Sequence, residues 1–174
     1  NTPTRTPSNT ATSTRTYTAT GTQTSTPVPA NLTFYRAINF NGPALTIDNN
    51  PWEGSTAPNY TTNGYGTCDQ ASVLIPPTDA NRATMLRCAI VQNGLTVTMR
   101  NVPNGTYDVS FYVWENDWPQ IYSLYLQGQL VVDNYNSVSG GHWAHLGPWT
   151  VSVTDGTINL TSTGWVSNLS GMEV

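Results

Sequence analysis

The densest set of chemically capable side chains is Trp114-Glu115-Asn116-Asp117-Trp118-Pro119. Two indoles bracket two carboxylates. Flat rings stack on the apolar face of a pyranose and carboxylates accept from its hydroxyls, so Trp114, Glu115, Asp117 and Trp118 are candidate glycan contacts. A second aromatic group, His142-Trp143-Ala144-His145 with Trp149, adds Trp143. Trp52-Glu53 and Tyr60 can complete such a site from an earlier, irregular stretch, which adds Trp52. The alternative for every Trp is a place in the core, or a plug at one end of a β domain.

Catalysis is not expected. A glycosidase pair stands about 5–9 Å apart across a cleft. Glu115 and Asp117 are two positions apart, on one side of an extended segment, and nothing marks a cleft. No serine sits in a nucleophile-elbow context, and there is no glycine-rich phosphate loop. His142 and His145 put their rings on opposite faces of an extended segment. No Cys or acid joins them at ligand spacing, so no metal site is expected there. Asp48-Asn49-Asn50 or Asp133-Asn134 can hold a structural calcium through oxygen ligands, plain Asn-rich turns being the alternative. No other cofactor is implied.

The elements that must position these residues read as strands. Leu32 to Ile38 and Ala44 to Ile47 open the domain around an Asn41-Gly42-Pro43 turn. Asp48 to Asp79 reads as a long irregular stretch, tied by Cys68 to a strand over Thr84–Val91. One disulfide between Cys68 and Cys88 is the default for two cysteines in a secreted chain. Leu95, Val97 and Met99 alternate with polar residues, as do Tyr107, Val109, Phe111 and Val113. Between these runs Asn104-Gly105 marks a turn tip. Further strands follow at Ile121–Leu126, Gln129–Asp133, Trp149–Val153, Thr157–Thr161 and Asn168–Val174, with turns at Gln127-Gly128 and Asp155-Gly156. No 3.6-residue period survives ten residues, so no helix is expected. The pattern predicts an all-β, antiparallel jelly-roll sandwich.

Several of these stretches resemble the malectin-like and galactose-binding-like jelly rolls. They are Val102-Pro103-Asn104-Gly105-Thr106-Tyr107, Leu124-x-Leu126-x-Gly128-Gln129, Asp155-Gly156-Thr157-Ile158-Asn159-Leu160 and Leu169-Ser170-Gly171-Met172-Glu173-Val174. Tyr35 to Pro43 resembles that group's first strand and turn. The likeness runs in order over residues 35–174, through motifs that encode turns and strand ends. It implies a non-catalytic domain of the carbohydrate-binding-module type, often glycan-binding through loops between strands, many members serving only as spacers or adhesive modules. It fixes no ligand.

Composition narrows the partners. Only 9% of the 174 residues are charged. There is no Lys, and residues 31–174 carry four Arg against ten acids, a formal charge of −6. That argues against nucleic acid and anionic membrane. No apolar run reaches the 18 residues of a spanning helix. A polar surface built from Asn, Thr, Ser, Gln and Tyr fits a secreted or cell-surface protein.

Residues 1–30 form a separate arm. Thr2, Thr4, Thr6, Ser8, Thr10, Thr12, Thr14, Thr16, Thr18, Thr20, Thr22, Thr24 and Thr26 occupy every even position from 2 to 26. In an extended chain a period of two puts all these hydroxyls on one face. At about 3.3 Å per residue the arm reaches roughly 80 Å. Two readings are open: a mucin-like, O-glycosylated stalk, or an ordered arm that docks on neighbouring copies. Asn1 opens inside the repeat, so the sequence reads as a piece of a longer chain. The functional expectation is a non-enzymatic structural or adhesive module of a bacterial surface filament, its arm crossing to the next copy. The alternative is a module that binds polysaccharide, tethered by a flexible glycosylated linker.

Overall fold

A computed structural model describes residues 32–174. The arm, its hydroxyl positions and the docking expected of it lie outside those residues. In chain order the elements are β1 (Ala37–Asn39), β2 (Leu45–Ile47), β3 (Asn50–Glu53), β4 (Tyr60–Thr62), β5 (Tyr65–Cys68), α1 (Ala80–Leu86), β6 (Cys88–Asn93) and β7 (Thr96–Met99). They continue with β8 (Gly105–Trp114), β9 (Ile121–Leu126), β10 (Gln129–Asn136), β11 (Trp143–Val153), β12 (Ile158–Gly164) and β13 (Val166–Glu173). Two sheets form the expected sandwich. The first runs β11-β8-β13-β1-β3-β2, with β6 also on β13 and β5 on β6; the second runs β10-β9-β12-β7-β4. All these strand pairs are antiparallel except β1 with β3. Among the described residues no helix is long and apolar enough to cross a membrane.

The alternation in β8 explains the layering. Val109, Phe111 and Val113 point between the sheets and join the main core with Leu124, Ile158 and Leu169. Tyr112 and Trp114 point the other way. They are not solvated, as alternation on a one-sided sheet leads one to expect. They bury in a second core with Trp52, Met85 and Leu86. Helix α1 helps to roof that second core.

The helix corrects the expectation of an all-strand chain. Its seven residues make two turns, too few for a 3.6-residue period to stand out. Asp79 caps it, its Oδ1 accepting from Arg82 N at 2.9 Å, and Ala83, Met85 and Leu86 are buried. The strand expected over Thr84–Val91 is therefore half helix and half β6. The stretch expected to be irregular holds β3, β4 and β5. Asp48 and Asn49, at φ 52° and 66°, form the two-residue turn between β2 and β3. That is the geometry for which short polar residues are selected. The expected disulfide is present and joins directly opposed residues, Cys68 on β5 and Cys88 on β6.

Other turns divide. Gln127 and Gly128, at φ 51° and 75°, close the β9–β10 hairpin as their types suggest. Asn104-Gly105 closes no hairpin, because β7 and β8 belong to different sheets. The positive φ falls instead on Asn101, at 57°.

Candidate functional site

Exposed apolar side chains concentrate at one end of the sandwich. Of nine large hydrophobic residues left exposed among the described residues, six (Val73, Ile75, Trp118, Ile121, Val138 and Trp165) lie on segments that meet there. Trp118 is 76% exposed and Trp165 62%. Scattered exposed hydrophobics are ordinary, whereas a contiguous patch marks a surface with a partner.

Backbone hydrogen bonds join these segments. Residues 73–77 meet the β10–β11 loop through Ile75 N to Gly141 O, 2.8 Å, and Trp143 N to Ile75 O, 3.2 Å. That loop meets the β8–β9 loop through Gly141 N to Glu115 O, 2.8 Å, and Glu115 N to His142 O, 2.9 Å. The β12–β13 turn joins through Trp165 N to Ile121 O, 2.9 Å. Two glycines permit the approach. A Cβ on Gly141, at φ 86°, would lie 2.2 Å from Val73 O, and one on Gly164, at φ 98°, 2.8 Å from Ile121 O.

Glu115 is the clasp beneath this surface. It is fully buried. Its Oε1 accepts from Asn116 N at 3.0 Å, Asp117 N at 3.2 Å and Asn168 Nδ2 at 3.3 Å. Its Oε2 accepts from Ser137 Oγ at 2.5 Å. One carboxyl thus ties the β8–β9 loop to the end of β10 and to β13. Burial pushes its pKa up, against the hydrogen bonds from Ser137 and Asp117 N, and the nearby Asp117 charge adds to the rise.

The candidate glycan contacts therefore separate. Asp117 and Trp118 are exposed at the loop end. Trp114, Glu115 and Trp52 are not available to a ligand, which corrects the sequence reading. Each is fixed by burial: Trp52 against Tyr112 at 5.5 Å, Trp114 in the second core, Glu115 in its clasp. Trp143 is half-buried and donates from Nε1 to Pro76 O at 2.6 Å. Tyr60 lies on β4, its hydroxyl donating to Phe40 O and Ser55 O.

The remaining polar candidates serve local structure. His142 Nδ1 lies 3.0 Å from Ser139 O, while His145 stacks on Tyr112 at 4.2 Å. Burial and the Arg82 charge lower the His145 pKa. At the two turns considered for calcium the carboxylates have protein partners. The Asp48 carboxylate pairs with Arg82, and Asp133 Oδ1 accepts from Ser123 and Asn134. Among the described residues no group of three or more His, Cys, Asp or Glu is placed to hold a metal ion.

Sequence reasoning passed over Trp165, although a signal existed. It follows a glycine between two strand-like runs, and a Trp at a turn tip has no sheet face to bury against.

No protein family matches this chain, and no curated protein does. Solved structures do. The ANXUR2 extracellular domain from Arabidopsis thaliana superposes with a TM-score of 0.64 at 13% identity, over 80% of this chain and 48% of that one. The plant receptor-like kinase ANX1 gives 0.63 at 14%, over 80% and 47%. A Bacteroides uniformis beta-glucuronidase gives 0.62 at 12%, over 79% and 17%. The likeness is one of fold. This chain spans about half of the two receptor structures and about a sixth of the enzyme. It bears out the expected β-sandwich.

Proposed function

We propose that this domain is a non-enzymatic, extracellular carbohydrate-binding module that takes its glycan at the loop end. The reading rests on Trp118 and Trp165, two indoles left exposed on loops that are cross-linked beneath. Such rings stack on the apolar face of a sugar. Asp117 and the amides of Asn116 and Gln120 stand beside them as hydrogen-bonding groups. The segments that build this end carry no Arg, so a neutral sugar fits better than an anionic one. The disulfide favours an oxidising compartment. A domain matching about a sixth of a beta-glucuronidase gives no ground for moving that enzyme's activity here.

Affinity electrophoresis through soluble polysaccharides, with a glycan array for breadth, tests the reading. Trp118→Ala and Trp165→Ala should each weaken binding about tenfold, as for an aromatic hot spot of roughly 1.4 kcal/mol. Binding unchanged in both variants would overturn it.

The strict alternation of the arm favours one addition: the arm carries O-linked sugars and reaches other copies of the chain in a surface assembly. Mass spectrometry of residues 2–26 reads the first part. Electron microscopy of a chain lacking those residues reads the second, and filaments indifferent to the deletion would count against it.

A further inference from the structure

A second surface lies away from the loop end, on the open flank of the sandwich. There, among the described residues, β10 is the edge of one sheet and β11 the edge of the other. Between Gln129–Val131 and Trp149–Ser152 runs a groove of about 610 Å³, within the roughly 300–1,000 Å³ of small-ligand sites. We infer that this groove is a separate binding site for a neutral glycan chain.

Its lining points to that chemistry. None of the nine residues around it ionises, in a domain with ten acids. Without a cation in its lining, the groove has no anchor for a phosphate or a uronate. Trp149 forms its wall, half-buried and backed by Phe111 at 5.5 Å, so the ring is held rigidly. Leu130, 49% exposed, stands at the lip. Thr150 and Gln127 are engaged already, donating to Asp108 Oδ1 and Thr157 O. Gln129 and Ser152 are exposed at the mouth as hydrogen-bonding groups.

The edges also say what does not fit. An added peptide strand needs an unbroken ladder of backbone donors and acceptors. The pairing of β10 with β9 shifts register twice, between Leu130 and Val132 and between Val132 and Tyr135. The pairing of β11 with β8 shifts between Leu146 and Trp149, and Pro148 in that gap has no N–H to give. Bulges and prolines are the devices that keep edges from pairing with another strand. Sugar hydroxyls donate and accept without a fixed register, so irregular edge groups suit them.

The test uses the full chain and affinity electrophoresis in uncharged polysaccharides: a soluble β-glucan, a galactomannan and an arabinoxylan. The background is Trp118→Ala with Trp165→Ala, which removes the loop-end platforms. Retardation by at least one polymer should persist there. It should fall at least fivefold when Leu130→Glu or Ser152→Phe is added. Both positions are exposed, so an unchanged thermal melt serves as the folding control. Three results would overturn the site: no retardation in that background, retardation indifferent to both groove variants, or a synthetic peptide of residues 2–26 that binds the wild type and not Leu130→Glu. The first would leave the loop-end reading standing if the parent chain still binds.

Discussion

Trp114 and Trp118 are four positions apart and do opposite work. Trp114 is 1% exposed and Trp118 76%. The first ends β8 and anchors the second core. The second rides on the loop just beyond. Between them Glu115 turns inward and holds the amides of Asn116 and Asp117. The comparison separates floor from rim. A loop can present an apolar ring to water when the residues beneath it are buried and the Glu115 carboxyl ties its backbone down. The floor answers to stability, and on the function proposed above the rim answers to ligand.

The largest expected effect breaks the floor. Trp114→Ala removes a fully buried indole and should cost about 4 kcal/mol of unfolding free energy, read by urea denaturation. Its Nε1 has no hydrogen-bond partner among the described residues. Trp114→Phe therefore loses volume but no bond, and should cost clearly less. A loss under about 1 kcal/mol for the alanine variant would mean that Trp114 is not part of the floor.

The clasp comes next. Glu115→Ala leaves four donors without their acceptor and should cost about 3 kcal/mol. Glu115→Gln keeps the shape and sharpens the comparison through pH. The folded carboxyl titrates above its ordinary 4.5. Between that ordinary value and the raised one the folded chain binds more protons than the unfolded one. Stability therefore falls as pH rises through this window. Burial raises Glu173 too, with the Asp48 charge adding, so it contributes the same sign. Subtracting the Glu115→Gln curve from the wild-type curve isolates Glu115. That difference should decline as pH rises from 4.5, and a flat line would sink the assignment.

The strands were more legible in the sequence than the site they carry. Ile121–Leu126 is a strand with the bounds its residues suggest, and Gln127-Gly128 turns where the two types permit positive φ. These signals are local, set by side-chain alternation and backbone sterics. The helix was hidden because two turns leave no period. Strands β3 to β5 were hidden because Pro51, Gly64 and Gly66 read as breakers. Along the site the limit is different. Glu115 is one residue past a strand, where alternation no longer says which way a side chain points. Val73, Trp118, Val138 and Trp165 are far apart in sequence, and backbone bonds between irregular segments, with the Glu115 and Trp143 side chains, bring them to one surface. No periodicity encodes such contacts.

The smallest expected effect is the most discriminating. Trp118→Ala deletes a ring that is mostly in water, so it removes little buried area. Its loop keeps the bonds to Glu115 and the Gln120 Nε2 contact to the Trp118 carbonyl, because these use backbone atoms of residue 118 and its neighbours. Unfolding free energy should stay within about 0.5 kcal/mol of wild type, the usual range for a surface change away from caps and cores. If the variant instead loses about 2 kcal/mol or more, the ring is packing rather than waiting for a ligand. The contrast with Trp114 would then collapse, and the loop end would be a plug for the sandwich. If stability holds while polysaccharide retardation drops, the same side chain is dispensable for the fold and required for binding. That pairing is what a rim residue must show and what a floor residue cannot.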